Sequence, residues 1–376
     1  MRLTSLTLLV ILVAAAVGVL AGAVFVRGWR RLTLALLAVL LLGAFGLADL
    51  NRHFAYYRSW RDLLGVHSPD LVATPIRGSG ALGAGGAGRE AGGGEDKLPR
   101  PQRGHGELIP MSFPGERSGI TRSGFVYLPP QYFDRAFATV RFPVVELLHG
   151  SPGVPGDWVL GLNPEQVLDA EIAAERAGPM VLVMPDINGT RLRSTECVDA
   201  VRGEKNDTYL TQDVVADVRD RFRVVPAGWG IEGYSTGAFC AVNLALRHPE
   251  QYAAVVSLDG YFHAIEDRYA RGLWKGDNQA RLDNSPDYEI AHIPRPGTAW
   301  YLMAGRQDEA VLRDAQRFAA QVGFTATDRL AVQPDGRHNF SDWKAATPPA
   351  FDWLWRRLAS PELQNRAPTI RTSVTG

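Results

Sequence analysis

The sequence predicts an α/β domain, built on a doubly wound and mostly parallel sheet, carried behind two apolar helices. Three observations predict it. Residues 1–50 are almost all apolar, residues 78–106 are dominated by Gly and Ala, and from Glu107 to Ser360 short aliphatic or β-branched runs alternate with helical stretches. Strands alternating with helices imply a parallel sheet covered on both faces, and right-handed crossovers then wind it doubly. In such a sheet ligands bind beyond the carboxyl ends of the strands. The 40 basic residues balance the 40 acidic ones, so no global field draws the chain to nucleic acid.

Leu6–Val26 is a charge-free run of 21 residues and Leu32–Ala48 a second of 17, separated by Arg27-Gly-Trp-Arg-Arg31. At about 1.5 Å per residue the first spans about 30 Å, a hydrocarbon core. The reading adopted is a helical hairpin, 6–26 and 32–50, in the cell membrane. A cleaved signal peptide followed by a single anchor is the rival, although the first run is long for an h-region. Arg27, Arg30 and Arg31 favour a cytoplasmic loop, which places the rest of the chain outside. Residues 51–77 form a juxtamembrane segment, with Phe54, Tyr56, Tyr57 and Trp60 placed as a headgroup belt. Residues 78–106 cannot bury enough surface to offset ordering entropy, so they read as a flexible linker, and 361–376 as a disordered tail.

Within the α/β domain, 107–360, strands are expected at Gly124–Leu128, Pro143–Leu148, Met180–Met184, Gly228–Gly233, Ala253–Leu258, Thr298–Ala304 and Arg329–Val332. Helices are expected at Glu165–Arg176, Thr211–Arg221, Ala238–Arg247, Ala310–Val322 and Ala350–Leu358. In Thr211–Arg221 the spacing of Val214, Val215 and Val218 is helical.

Gly233-Tyr-Ser-Thr-Gly237 matches G-x-S-x-G between a strand-like and a helix-like segment, the context of a nucleophile elbow. Ser235 is therefore the candidate nucleophile. Thr236 would offer its backbone N–H to an oxyanion at a helix N-terminus. A serine needs a base, and His338 follows the last strand, where the order Ser, acid, His places it. The acid orients and stabilises that imidazole. Asp308, just after the strand ending at Ala304, is the first choice, Glu309 the second and Asp259 the third. His149-Gly150-Ser151 ends an earlier strand, and the Ser151 backbone would supply the second oxyanion donor. His149 reads as structural and His248 as a helix C-cap. The chain has two cysteines, Cys197 and Cys240, whose spacing fits no zinc site. A disulfide in an oxidising space and two buried thiols are both open readings.

The segments VYLPPQYF, ELLHGSPG, DTYLTQDVVADV, GYSTG, AGRQDE and GRHNFSDW resemble an esterase family that includes esterase D, feruloyl esterases and the antigen 85 mycolyltransferases, over roughly Gly119–Leu358. The resemblance implies an α/β-hydrolase fold, carboxylester chemistry and an extracytoplasmic site. It also implies a Cys197–Cys240 pair, since similar membrane-attached bacterial members carry cysteines at these two places. Tyr261–Pro296, where a lid would set acyl specificity, departs from the family pattern, and nothing specific to trehalose or mycolate is matched.

The expected chemistry is two-step acyl transfer from a small-molecule or lipid ester to water, with no metal or organic cofactor. Transfer to an envelope lipid or sugar is the alternative. A tethered scaffold on a dead hydrolase fold is the rival of another class, and a complete Ser, Asp, His set argues against it.

Overall fold

The computed structural model of the protein describes residues 5–54, 105–360 and Leu363. They fall into two units, a helical pair and an α/β domain. Tyr56, Tyr57 and Trp60 of the expected headgroup belt, nearly all of the linker, and most of the tail lie outside the described residues.

The helical pair consists of α1 (Leu6–Val24) and α2 (Trp29–Phe54). Both are long and apolar enough to cross a bilayer. Ser5 caps α1, its Oγ accepting from Leu8 N–H at 3.3 Å. The second helix is longer at both ends than the expected 32–50. Gly28 takes the turn at φ 68°, which frees Trp29, Arg30 and Arg31 to form the first turn of α2. Ala16, Ala23 and Ala38 are buried, and small residues let helix backbones approach closely.

The α/β domain holds an eight-stranded sheet in the order β1-β2-β4-β3-β5-β6-β7-β8. The strands are β1 (Glu107–Pro114), β2 (Thr121–Leu128), β3 (Val144–Leu148), β4 (Val181–Pro185), β5 (Trp229–Tyr234), β6 (Tyr252–Leu258), β7 (Ala299–Gly305) and β8 (Arg329–Gln333). β1 pairs antiparallel with β2, and β2 with β4; every other pairing is parallel. Strands β3, β4 and β5 are buried at every position, as sheets with helices on both faces require. This is the α/β-hydrolase arrangement that the sequence implied.

Seven of the eight strands match the expected runs. The missed one, β1, carries Pro110 and Pro114, which disguise its pattern. An edge strand accommodates them because part of its backbone needs no ladder partner.

The helices are α3 (Pro164–Ala173), α4 (Val215–Arg221), α5 (Thr236–Arg247), α6 (Glu309–Val322) and α7 (Phe340–Leu358). The expected helix at Thr211 begins instead as a π-helical segment, Tyr209–Val214, that feeds α4. The last helix starts ten residues earlier than the expected Ala350, because it runs through Pro348 and Pro349. Burial of Ala350, Phe351 and Leu354 beneath the sheet holds it across that interruption. Between β6 and β7 the long insertion contains two short helices, Asn278–Leu282 and Pro286–Glu289.

Two glutamates lie inside this core. Glu146 on β3 accepts from the Tyr252 hydroxyl at 2.7 Å, and Glu232 on β5 has no hydrogen-bond partner among the described residues. Both are wholly buried, and burial raises each carboxyl to about 8. The unfolded chain would ionise them near 4.5. Their contribution to stability is therefore complete below pH 4.5 and lost as pH rises through about 8, at up to about 1.4 kcal/mol per pH unit for each group. Urea denaturation of the detergent-solubilised chain should show stability falling between pH 5 and pH 8, and Glu232→Gln should flatten that slope. An unchanged slope in the variant would exclude Glu232 as its source.

Candidate active site

The turn between β5 and α5 is the centre of the site. Ser235 occupies it at φ 56° and ψ −123°, a conformation that L-residues avoid and that surrounding structure must impose. A Cβ on Gly233 would stand 2.0 Å from Gly237 O, and one on Gly237 would stand 2.1 Å from Leu148 O. Neither position can carry a side chain. The G-x-S-x-G spacing thus records two backbone contacts that bring β5, α5 and the end of β3 together around one serine.

His338 meets that serine. Its Nε2 lies 2.9 Å from Ser235 Oγ, hydrogen-bonding distance for a base. The loop carrying it is tied to the loop after β7: Arg306 N–H donates to Gln333 O at 2.9 Å, and Gln307 N–H donates to Gly336 O at 3.0 Å. The imidazole stands edge-on to Trp343, with centroids 5.0 Å apart and planes at 90°. Trp343 in turn stacks on Tyr234 at 4.7 Å, and Trp158 packs edge-on against Tyr234 at 5.2 Å. Burial pushes His338 below the ordinary imidazole value, against the pull of Asp308.

The three candidate acids separate clearly. Asp308 Oδ2 stands 3.8 Å from His338 Nδ1, an ion-pair distance that must shorten by about 1 Å to become a hydrogen bond. The same carboxylate caps α6 through Val311 N–H at 3.4 Å. Glu309 points into solvent and pairs with Arg313 at 3.1 Å. Asp259 is wholly buried. It accepts from Gly305 N–H and from Trp343 Nε1–H, both at 2.9 Å. Burial, with Asp308 nearby, raises Asp259 to about 7. Its bonds go to the backbone of the Asp308 loop and to the ring behind His338. The sequence signal for that role was a lone Asp after a strand, too sparse to separate it from an acid.

The loop after β3 runs along Ser235. A Cβ on Gly150 would lie 3.3 Å from Ser235 Cβ, so the peptide leading into Ser151 passes beside it. Ser151 Oγ–H donates to Arg193 O at 3.0 Å. Thr236 is the first residue of α5, where backbone N–H groups have no intrahelical acceptor. His149 is buried: Nδ1–H donates to Gly150 O at 2.8 Å, and Nε2 accepts from Ile187 N–H at 3.2 Å. It braces the turn. His248 ends α5 and pairs with Asp207 at 2.7 Å. Cys197 and Cys240 form a disulfide with Cα atoms 5.5 Å apart, which fastens the loop after β4 to α5 one turn beyond the serine.

Comparison with known proteins agrees with this architecture. Residues 116–354 match the family described as "Putative esterase". An uncharacterised protein of Corynebacterium glutamicum is 27% identical over 272 residues, covering 67% of this chain and 62% of that relative, so the chain spans less than two thirds of its length. A ferulic acid esterase structure superposes with a TM-score of 0.59 at 19% identity, over 68% of this chain and 99% of its own. An S-formylglutathione hydrolase from Agrobacterium tumefaciens gives 0.57 at 18%, over 70% and 99%. Mycobacterium tuberculosis MPT51 gives 0.52 at 16%, over 66% and 98%. The fold is that of the α/β-hydrolases. The chain belongs to the "Putative esterase" family.

The geometry of the acids makes a direct forecast for p-nitrophenyl acetate hydrolysis. Asp308→Asn should lower kcat by at least about 100-fold, because the imidazole loses its orienting charge. Glu309→Gln should stay within about threefold of the parent, its partner being a surface arginine. The reverse ranking would move the acid to Glu309.

Proposed function

We propose that the protein is a membrane-anchored serine carboxylesterase that works through a Ser235–His338–Asp308 triad and an acyl-enzyme. The observation that carries the reading is the 2.9 Å approach of His338 Nε2 to Ser235 Oγ on a strained elbow. His338 takes the Oγ proton as Ser235 attacks the ester carbonyl, and the tetrahedral oxyanion turns toward the backbone N–H groups of Ser151 and Thr236. Collapse breaks the bond to the alcohol, which leaves with the proton from His338. Water, deprotonated by the same imidazole, then attacks the acyl-serine, and Ser235 recovers its proton. Asp308 holds the imidazole and its positive charge throughout. Each oxyanion donor is worth roughly 3–4 kcal/mol in comparable sites.

The substrate class is a small-molecule or lipid ester. Two apolar helices at the N-terminus support attachment to a membrane, and the disulfide supports a catalytic domain on its oxidising side.

Ser235→Ala should abolish both turnover and labelling by a fluorophosphonate probe while thermal unfolding is unchanged; a variant keeping more than a few per cent of the parent rate would sink the assignment. Because burial lowers the His338 pKa, the base stays neutral into mildly acid solution. The acid limb of kcat/KM should therefore have its midpoint below the ordinary imidazole value of 6.5; a midpoint above it would contradict a desolvated base. For topology, alkylation of unreduced protein taken from its native membrane should leave Cys197 and Cys240 unmodified. Two freely alkylated thiols would argue against an external domain.

A further inference from the structure

The two oxygens of Asp259 are given to two different segments around His338. Oδ1 accepts from Gly305 N–H at the end of β7, and Oδ2 from Trp343 Nε1–H on α7, both at 2.9 Å. The residue itself is fixed at φ 52°, with its own N–H donating to Met303 O at 2.9 Å. It is wholly out of solvent, so no water can stand in for either partner. From Gly305 the contact passes to backbone: an added Cβ there would fall 2.4 Å from the carbonyl carbon of Gly336, two residues before His338. From Trp343 it passes through the indole, which stands perpendicular to the imidazole with centroids 5.0 Å apart. The same indole stacks at 4.7 Å on Tyr234, the residue before Ser235. Two routes to the imidazole thus begin on one buried carboxyl.

Asp308 alone does not account for the alignment of the ring. Its Oδ2 is 3.8 Å from Nδ1, beyond a hydrogen bond, yet Nε2 already lies 2.9 Å from Ser235 Oγ. The torsion that turns an imidazole is intrinsically broad, so packing has to restrict it. The indole beside the ring and the Gly336 backbone before it are both held by Asp259. We propose that Asp259 is a positioning residue for His338, acting through the Trp343 indole and the Gly305–Gly336 contact to keep Nε2 on Ser235 Oγ. This rests on Ser235 being the nucleophile and His338 its base. The role also fixes the residue type. Two N–H donors converge on one side chain; a carboxylate accepts both, whereas an amide has one acceptor oxygen and its NH2 would face the other donor.

The test uses the full chain in detergent and p-nitrophenyl acetate, above the value of about 7 to which burial raises Asp259. Rates are expressed per site counted by end-point fluorophosphonate labelling, so unfolded chains do not enter. Asp259→Asn and Trp343→Phe should each lower kcat about tenfold with KM within about twofold, and slow the labelling reaction by a similar factor. In the Trp343→Phe background the indole donor is gone and the Asn oxygen suffices for Gly305. Adding Asp259→Asn there should cost less than about twofold more, because both changes cut the same contact. An Asp259→Asn enzyme with the parent kcat per site, whatever its thermal stability, would mark a structural carboxyl and overturn the proposal. So would a loss carried by KM with kcat unchanged, or full multiplication of the two effects in the double variant. If Ser235→Ala still takes the fluorophosphonate label, the nucleophile assignment falls and the positioning role falls with it. If Ser235→Ala is unlabelled and Asp259→Asn keeps the parent kcat per site, the positioning role alone falls.

Discussion

Between Gly233 and Gly237 there is no space for a methyl group on either side of Ser235: the added carbons would sit 2.0 Å and 2.1 Å from carbonyl oxygens. That contact lets β5 turn at once into α5 and hold the serine at a positive φ above the end of the sheet. The strain of the turn is maintained by what surrounds it. Leu258 O accepts from Ser235 N–H at 3.0 Å, Ser235 O accepts from Ala238 N–H at 3.0 Å, and α5 is buried along its length. A helix so enclosed cannot move without the strands on either side, so Ser235 inherits the rigidity of the sheet.

A second close approach sets the histidine. A Cβ on Gly305 would fall 2.4 Å from the carbonyl carbon of Gly336, so the loop bearing Asp308 and the loop bearing His338 lie in backbone contact. Asp259 then joins the first of these loops to the indole behind the imidazole. Orientation of the His338 imidazole depends on three chain segments and a buried carboxyl, and Asp308 Oδ2 stands 3.8 Å from its Nδ1.

Buried acids recur in this domain. Glu146, Glu232, Glu196 and Asp259 all lie out of solvent, and burial raises each of them to about 7 or 8. An isolated ionised carboxylate in such surroundings is costly, and the neutral form or several donors must relieve it. Glu196 and Asp259 have donors from neighbouring loops, and these two flank the elbow and the histidine. Glu232, three residues before the serine, has none among the described residues. The contrast separates carboxyls that organise loops from one that is simply enclosed by the sheet.

The sequence by itself determined the alternation of strands and helices, the elbow, and the order of Ser235, Asp308 and His338 along the chain. Each is a local pattern: a period of two or 3.6, a pair of glycines, a residue just past a strand. It also placed two apolar runs of membrane-spanning length. It did not determine β1, whose prolines hide an edge strand, or the first half of α7, which runs through Pro348 and Pro349 because burial outweighs local propensity. Nor did it separate Asp308, Glu309 and Asp259, since all three follow strands and differ only in what lies around them. Tertiary structure decided that Glu309 faces solvent, that Asp259 is spent on Gly305 and Trp343, and that Tyr261 and Glu196 meet although 65 positions separate them. Contacts between distant segments have no spacing in the sequence to mark them, and they exist only once the sheet has brought its loops to one edge.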